Sequence, residues 1–423
     1  MGSNVGEANS PISKITLIGD MLCEPSLLKA ARQHDGTYDF GFVFEHMKPL
    51  FDSADLVIGN LETPLGNNKK DYVQSLFSFN APADFARSAK TAGVDIVLTA
   101  NNHCLDRGMD GLRATLKILD ECRLKHTGTF LDGNSRSPAC FKVGNNKVAI
   151  ISYTYGTNFS GNHIQLDDTD LECVNLLRPQ DDHYSAADQS THKKSLVSAL
   201  AQRLLTFEQR IWIKRALGRE YYTAYADDHL DRNTADPYIN KMVADIGKAK
   251  KDADIVLLCP HVGGQFNVKP GRFSEYVMKK ALDAGCDAII ASHPHVVQKA
   301  QILHGVPCFF SIGNFCMSPN SVYLIYDNLP EYGIAVHLYI ECGQIVKTSF
   351  SVLKVIETKH HPLAVYPASK LYGCLKTQEE RERLVEDVGR IVKTVTGCQP
   401  LESAICEEYT VLDQSKRRAS CLR

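Results

Sequence analysis

Five short apolar runs punctuate the first 300 residues, and each stops at a group able to do chemistry. "TLIG" ends at Asp20, "LVIGNL" at Glu62 and "DIVLTA" at Asn101, Asn102 and His103. "IVLLCP" ends at His261, and "AIIAS" at His293 and His295. Runs this short, apolar at every position, read as strands buried on both faces. Between them lie stretches of helical spacing. "PADFARSAKTAG" closes on Gly93, "MDGLRATLKILDECR" is amphipathic, and "GFVFEHMKPLFDSA" and the segment near Glu275–Ala284 keep the same period. Such alternation specifies a layered α/β core. Two hairpins interrupt it. "FKVGNNKVAIISYTY" turns at Gly144-Asn145-Asn146, and "IAVHLYIECGQIVKTSFSVLKV" turns at Cys342-Gly343.

Two regions depart from this rhythm. Residues 157–236 are polar and charged, carry the only tryptophan, Trp212, and include "SLVSALAQRLL" and "FEQRIWIKRALG", which read as helices. They read as a helical insertion between the first hairpin and the His261 strand, placed to pack over the mouth of a site at the strand ends. Residues 368–423 read as a C-terminal helix, "KTQEERERLVEDVGRIVKTV", followed by the basic tail "KRRASCLR". The regular core spans 14–367.

Composition narrows the classes. Apolar residues make up 44% of 423, enough for a large core. A net charge of -2 argues against a general nucleic-acid or membrane-surface binder. There is no apolar run of the roughly 18 residues that a membrane span needs. The opening "MGSNVGEANSPI" lacks an apolar signal-peptide core, and Gly6 stands where a myristoylation signal has Ser or Thr. The 14 cysteines include no Cys-x-x-Cys pair, and several sit inside apolar runs. That usage fits buried free thiols in a reducing, cytoplasmic setting.

Ligands of open α/β sheets sit beyond the carboxyl ends of the strands, where this chain places its carboxylates, carboxamides and imidazoles. In an extended segment His293 and His295 would point the same way, with Pro294 stiffening the turn. A mixed Asp, Glu, Asn and His set suits manganese, iron or zinc. Taken singly, Asp20 could be a turn residue, Glu62 a turn cap, Asn102 a helix cap and His261 a core histidine. Their common position after apolar runs favours a shared metal site. Asn314 in "SIGNF" either lines that site, as a substrate-binding residue, or satisfies loop backbone. Asp106 and Arg107 either position the His103 loop or form a surface pair.

The motifs "GDML", "SADLVIGNLETPL", "ANNHCLDRGMDGL", "HVGGQF", "ASHPHVVQ" and "SIGNF" occur in this order. With them the chain resembles the CapA family of capsule or poly-γ-glutamate synthesis proteins, a branch of the calcineurin-like metallophosphoesterase superfamily. The resemblance covers about 14–318. It implies an α/β sandwich of two mixed sheets flanked by helices, with a two-metal centre among the loops. Asp20 and His295 would hold the first ion and Asn102, His261 and His293 the second, with Glu62 as the bridging carboxylate. His103 would contact the phosphoryl group and protonate the leaving oxygen. Leu22 stands where many superfamily members carry a histidine for the first ion, Val262 where relatives often have tryptophan, and Gln265 where many have glutamate. Cys23 is a candidate substitute for the missing histidine.

Three functions compete at this stage. The first is a two-metal hydrolase of a phosphate ester or phosphodiester. The second is a capsule or poly-γ-glutamate factor that grips an anionic polymer without hydrolysis. The third is a scaffold with a degenerate site. The expected partner is an anionic small molecule or polymer.

Overall fold

The computed structural model describes residues 12–69, 72–73, 78–180, 227–321, 326–358, 361–399 and 405–414, with isolated positions between 204 and 217. The chain lays down β1 (Ser13–Met21), β2 (Leu56–Leu61), the short β3 (Leu65–Gly66) and β4 (Ala81–Pro82), β5 (Ile96–Leu98) and β6 (Lys125–Thr127). It continues through β7 (Ala139–Val143), β8 (Asn146–Thr154), β9 (Ile255–His261), β10 (Ala288–Ile290), β11 (Ala300–Leu303) and β12 (Val306–Phe309). It ends with β13 (Asn314–Cys316), β14 (Tyr332–Glu341), β15 (Gln344–Thr358), β16 (His361–Pro367) and β17 (Tyr409–Asp413).

Two large mixed sheets result. The first runs β16-β15-β14-β1-β2-β5-β6, with β13 also on β1 and β17 on β15; the second runs β11-β12-β10-β9-β8-β7. Strands β1, β2, β5 and β6 are mutually parallel, as are β8, β9, β10 and β12. Their period-two pattern makes a sandwich. On β2, Leu56 and Ile58 face the interior between the sheets while Val57 and Leu61 face the helices outside. On β9, Ile255 and Leu257 point inward and Val256 and Leu258 outward. Both faces are apolar, so the runs look continuous in sequence. Each fully buried aliphatic side chain contributes roughly 1.5–3 kcal/mol.

Helices Ala83–Ala92 and Gly108–Glu121 cover the first sheet, packing Phe85, Leu112 and Leu116 with Val57 and Val97. Helices Arg232–Asp252 and Arg272–Asp283 cover the second. This is the sandwich of two mixed sheets flanked by helices that the metallophosphoesterase resemblance implies. Gly93 closes its helix at φ 114, as its place after "SAKTA" predicts. Cys342 and Gly343, both at positive φ, turn the β14–β15 hairpin. "GFVFEHMKPLFDSA" forms two short helices, Gly41–Phe44 and Lys48–Asp52, the second with a proline in its first turn.

Helix Gln378–Thr396 starts at a capping box between Thr377 and Glu380 and sends Leu384, Val388 and Ile391 into the inter-sheet core. Helix Arg232–Asp252 runs through the boundary at 236 expected for the insertion. Most of the expected insertion helices, Trp212 and the tail from 416 lie outside the described residues. Among the described residues, no helix is long and apolar enough to cross a membrane. The thirteen described cysteines are all free, and seven are buried.

Candidate metal centre

Parallel strands deliver their carboxyl ends to one edge of the sandwich. From the first sheet come Asp20 near the end of β1, Glu62 just past β2, and Asn102 and His103 in the turn after β5. From the second come His261, the last residue of β9, and His293 and His295 after β10. All seven are 3% exposed or less. The His293–His295 segment is not extended, as its spacing suggested: φ is 107 at His293 and 57 at His295. The loop curls, and Pro294 packs so closely on Gly263 that a Cβ there would lie 2.6 Å from Pro294 Cγ. The histidines face one site because the loop folds back, at the expense of backbone strain.

Contacts run continuously through the cluster. Asp20 Oδ2 lies 3.3 Å from His295 Nδ1, and His295 Nε2 lies 3.7 Å from Glu62 Oε1. His261 Nε2 sits 3.3 Å from that same Glu62 oxygen, 2.7 Å from Asn102 Oδ1 and 3.1 Å from His293 Nδ1. His261 Nδ1 faces the Ser292 hydroxyl at 3.1 Å. His103 Nδ1 is 2.7 Å from the buried Asp106 carboxylate, which also accepts the Phe79 N–H at 2.7 Å. Asp106 thus takes the positioning role over the surface pair.

Burial alone would raise the Asp20 carboxyl, but the His295 hydrogen bond and the nearby imidazole charges carry it below the usual range. Burial would lower His295, yet Glu62 and Asp20 lift it to about 9. His293 is driven well below its usual value by burial and by the charges of His261, His295, His103 and Arg178. His103 moves up: burial opposes this, and Asp106 outweighs it.

Both oxygens of Glu62 are buried without a hydrogen-bond partner. A buried carboxylate left so is expensive. Around it two acceptor-rich triads, Glu62 with His293 and His295, and Asp20 with Glu62 and His261, each bring their ligand atoms within 4.8 Å of one another. Glu62 belongs to both. These groups could hold a metal, and the donor set fits a borderline divalent cation. The triads cut across the pairing that the family resemblance implies, whereas the shorter contacts, Asp20 with His295 and Asn102 with His261 and His293, follow it.

Several contributors were hidden in the sequence. Asn60 Nδ2 donates to Asp20 Oδ1 at 2.7 Å and lies 3.3 Å from His261 Nδ1. Its position inside the apolar run "LVIGNL" disguised it. Asn158 Oδ1 accepts from Asn102 Nδ2 at 3.0 Å, and its Nδ2 approaches His103 Nδ1 at 3.3 Å. The left-handed φ of 53 at Asn158, tolerated by asparagine, leaves no signal in the chain. Leu22 packs with Phe79, Phe266, Val296 and Met317, so an apolar wall stands where a histidine was missed. Cys23 is in neither triad, and burial beside Cys316 and Glu24 pushes its thiol well up.

The sequence profile of the family described as "Bacterial capsule synthesis protein PGA_cap" matches residues 14–319. An uncharacterized protein, y4sH, of Sinorhizobium fredii is 25% identical, the match covering 82% of this chain and 73% of that protein. The capsule biosynthesis protein CapA of Bacillus anthracis is 24% identical over 71% of this chain. The PGA biosynthesis protein CapA of Bacillus subtilis is 25% identical over 64%. This chain spans 59% and 56% of the lengths of those two CapA proteins. With the profile matching well over half its length, the chain belongs to the bacterial capsule synthesis protein PGA_cap family.

Proposed function

We propose that the chain is a cytoplasmic hydrolase of phosphate esters or phosphodiesters that works with two divalent ions, manganese, iron or zinc. The observation that carries the reading is Glu62, a buried carboxylate with neither oxygen hydrogen-bonded, ringed by imidazoles and shared by two triads of donors. Asp20, Glu62 and His295 would hold one ion, and Glu62, Asn102, His261 and His293 the other. When bound, such a pair acidifies a shared water and neutralises charge on the attacked phosphoryl group.

The remaining work falls to the chain. His103 is fixed by Asp106 at Nδ1, so its Nε2 is the atom left to hold a proton for the leaving oxygen. Asp106 raises its pKa above the ordinary histidine value, which favours the protonated ring that a proton donor needs. Phe79, edge-on to the His103 ring at 4.6 Å, limits water on that side.

Elemental analysis of the purified chain, with turnover of an aryl phosphodiester in manganese, tests the reading. His103→Ala should keep its metal and lose roughly 10²–10⁴-fold in rate, less for substrates with good leaving groups. His295→Ala should lose metal and rate together for every substrate. Equal metal loss in both variants would make His103 a ligand. The capsule and PGA names of the CapA relatives favour a second reading, in which the ions grip the carboxylates of poly-γ-glutamate. Metal-dependent polymer binding without phosphodiester turnover would select it. Metal-free protein would select the scaffold.

A further inference from the structure

Asn314 leads off β13, in parallel register with Asp20 on β1, and is 1% exposed. Its Nδ2 donates to the His295 carbonyl at 2.9 Å and to the Pro330 carbonyl at 3.0 Å. A carboxamide has two N–H bonds, and both are spent. That settles which way the amide faces: Oδ1 is the atom 2.9 Å from His295 Nδ1. The other neighbour of Nδ1, Asp20 Oδ2 at 3.3 Å, is also an acceptor. Two acceptors on one ring nitrogen hold a hydrogen there, which leaves Nε2, 3.7 Å from Glu62 Oε1, as the nitrogen able to release its proton and turn a lone pair to a metal.

The same amide holds the backbone. His295 sits at φ 57, a region that β-carbon-bearing residues seldom occupy, and the bond from Asn314 to its carbonyl braces that conformation. Asn314 has little room to move. A Cβ at Gly333 would lie 2.0 Å from the Asn314 carbonyl oxygen, and one at Gly19 would lie 1.9 Å from that of Gly313.

We infer that Asn314 is a positioning residue for His295, fixing which ring nitrogen faces Glu62 and bracing the histidine's left-handed backbone, rather than a group that binds substrate. The inference rests on the metal-centre reading above. The test uses the full chain stripped with a chelator and titrated with Mn²⁺ or Zn²⁺. Asn314→Ala should bind metal roughly 10–100-fold more weakly, the usual effect of losing a partner that orients a ligand. In a His295→Ala background the same change should add almost nothing. In ¹⁵N spectra of the zinc-loaded wild type, His295 should show a protonated Nδ1 and a coordinated Nε2, a reading that survives if the variant does not fold. Unchanged affinity in Asn314→Ala, an undiminished loss in the His295→Ala background, or coordination through Nδ1 overturns the inference while the metal centre stands. A raised KM with metal affinity intact would restore the substrate-binding role. Wild-type protein that binds neither ion overturns both.

Discussion

Gly19→Ala should damage the candidate centre without touching a ligand. Gly19 is the bulged residue at which the β1–β2 register slips, between the pairs Ile18–Gly59 and Asp20–Asn60. An ideal Cβ there would sit 1.9 Å from the Gly313 carbonyl oxygen, whereas real Cβ contacts essentially never fall under 3.0 Å. The obstacle is backbone, so no rotamer relieves it, and β1 and β13 must part by about 1 Å. Overpacking of this kind costs about 1–3 kcal/mol. The movement separates Asp20, whose N–H donates to Gly313 at 3.2 Å, from the strand that carries Asn314. Metal affinity should fall by roughly 10–100-fold as well. Urea unfolding in chelator reads the first quantity, and competition with a fluorescent metal indicator reads the second. Gly247→Ala is the control: that glycine lies in helix Arg232–Asp252 with nothing within 4 Å of an added Cβ. It should gain about 0.5–1 kcal/mol. A Gly19→Ala protein with wild-type unfolding energy and wild-type metal affinity would refute the close-approach reasoning.

Asn158→Gly should relieve the left-handed backbone yet weaken metal binding by roughly 10–100-fold, because Asn102 is then free to turn its amide nitrogen toward His261. Asn158→Asp, which keeps the acceptor for Asn102, should weaken it less in the same titration. Acid should destabilise the fold at a distance from the centre. His337, buried between Thr16 and Ser351, is held down to about 3 by burial and by Lys14 and Lys347. Glu408 stays at about 2: burial opposes this, and hydrogen bonds from Lys14 and Ser349 outweigh it. Both groups bind protons more readily unfolded, so their stabilisation is complete above about pH 6.5, the ordinary histidine value. It is lost as pH falls toward 3 and then 2, at up to about 1.4 kcal/mol per pH unit per group. His337→Gln should flatten the upper part of that slope in urea melts, and an unchanged slope would exclude His337.

The strands were legible because a strand buried on both faces has no polar residue to interrupt it, and the catalytic-looking groups stood out by ending them. Helix periods and the two hairpin turns were legible for equally local reasons. What depends on distant neighbours was not. "YTVLD" at Tyr409–Asp413 becomes a strand only because the β15 edge is there to pair with it. Asn60 and Asn158 acquire roles from groups that the fold brings up from other strands. The helical spacing of "GFVFEHMKPLFDSA" did not show that it breaks between Phe44 and Lys48, where Pro49, whose missing N–H suits a helix start and not its middle, opens a second helix. Positive φ at His293 and His295 is set by the loop's packing on Gly263, and no residue preference announces it.

The six expected ligands divide evenly between the strand ends of the two sheets: Asp20, Glu62 and Asn102 come from the first, His261, His293 and His295 from the second. Neither sheet alone holds the constellation, so a folding chain cannot capture an ion there until the sandwich has closed. A cation bound among these residues would therefore select the closed state from every more open one, with a grip that depends on concentration. Slippage between the sheets, which the apolar interior would register only gradually, would be felt at once by atoms spaced 2.7–3.7 Å apart across the seam. The centre is a vernier for the alignment of the two halves.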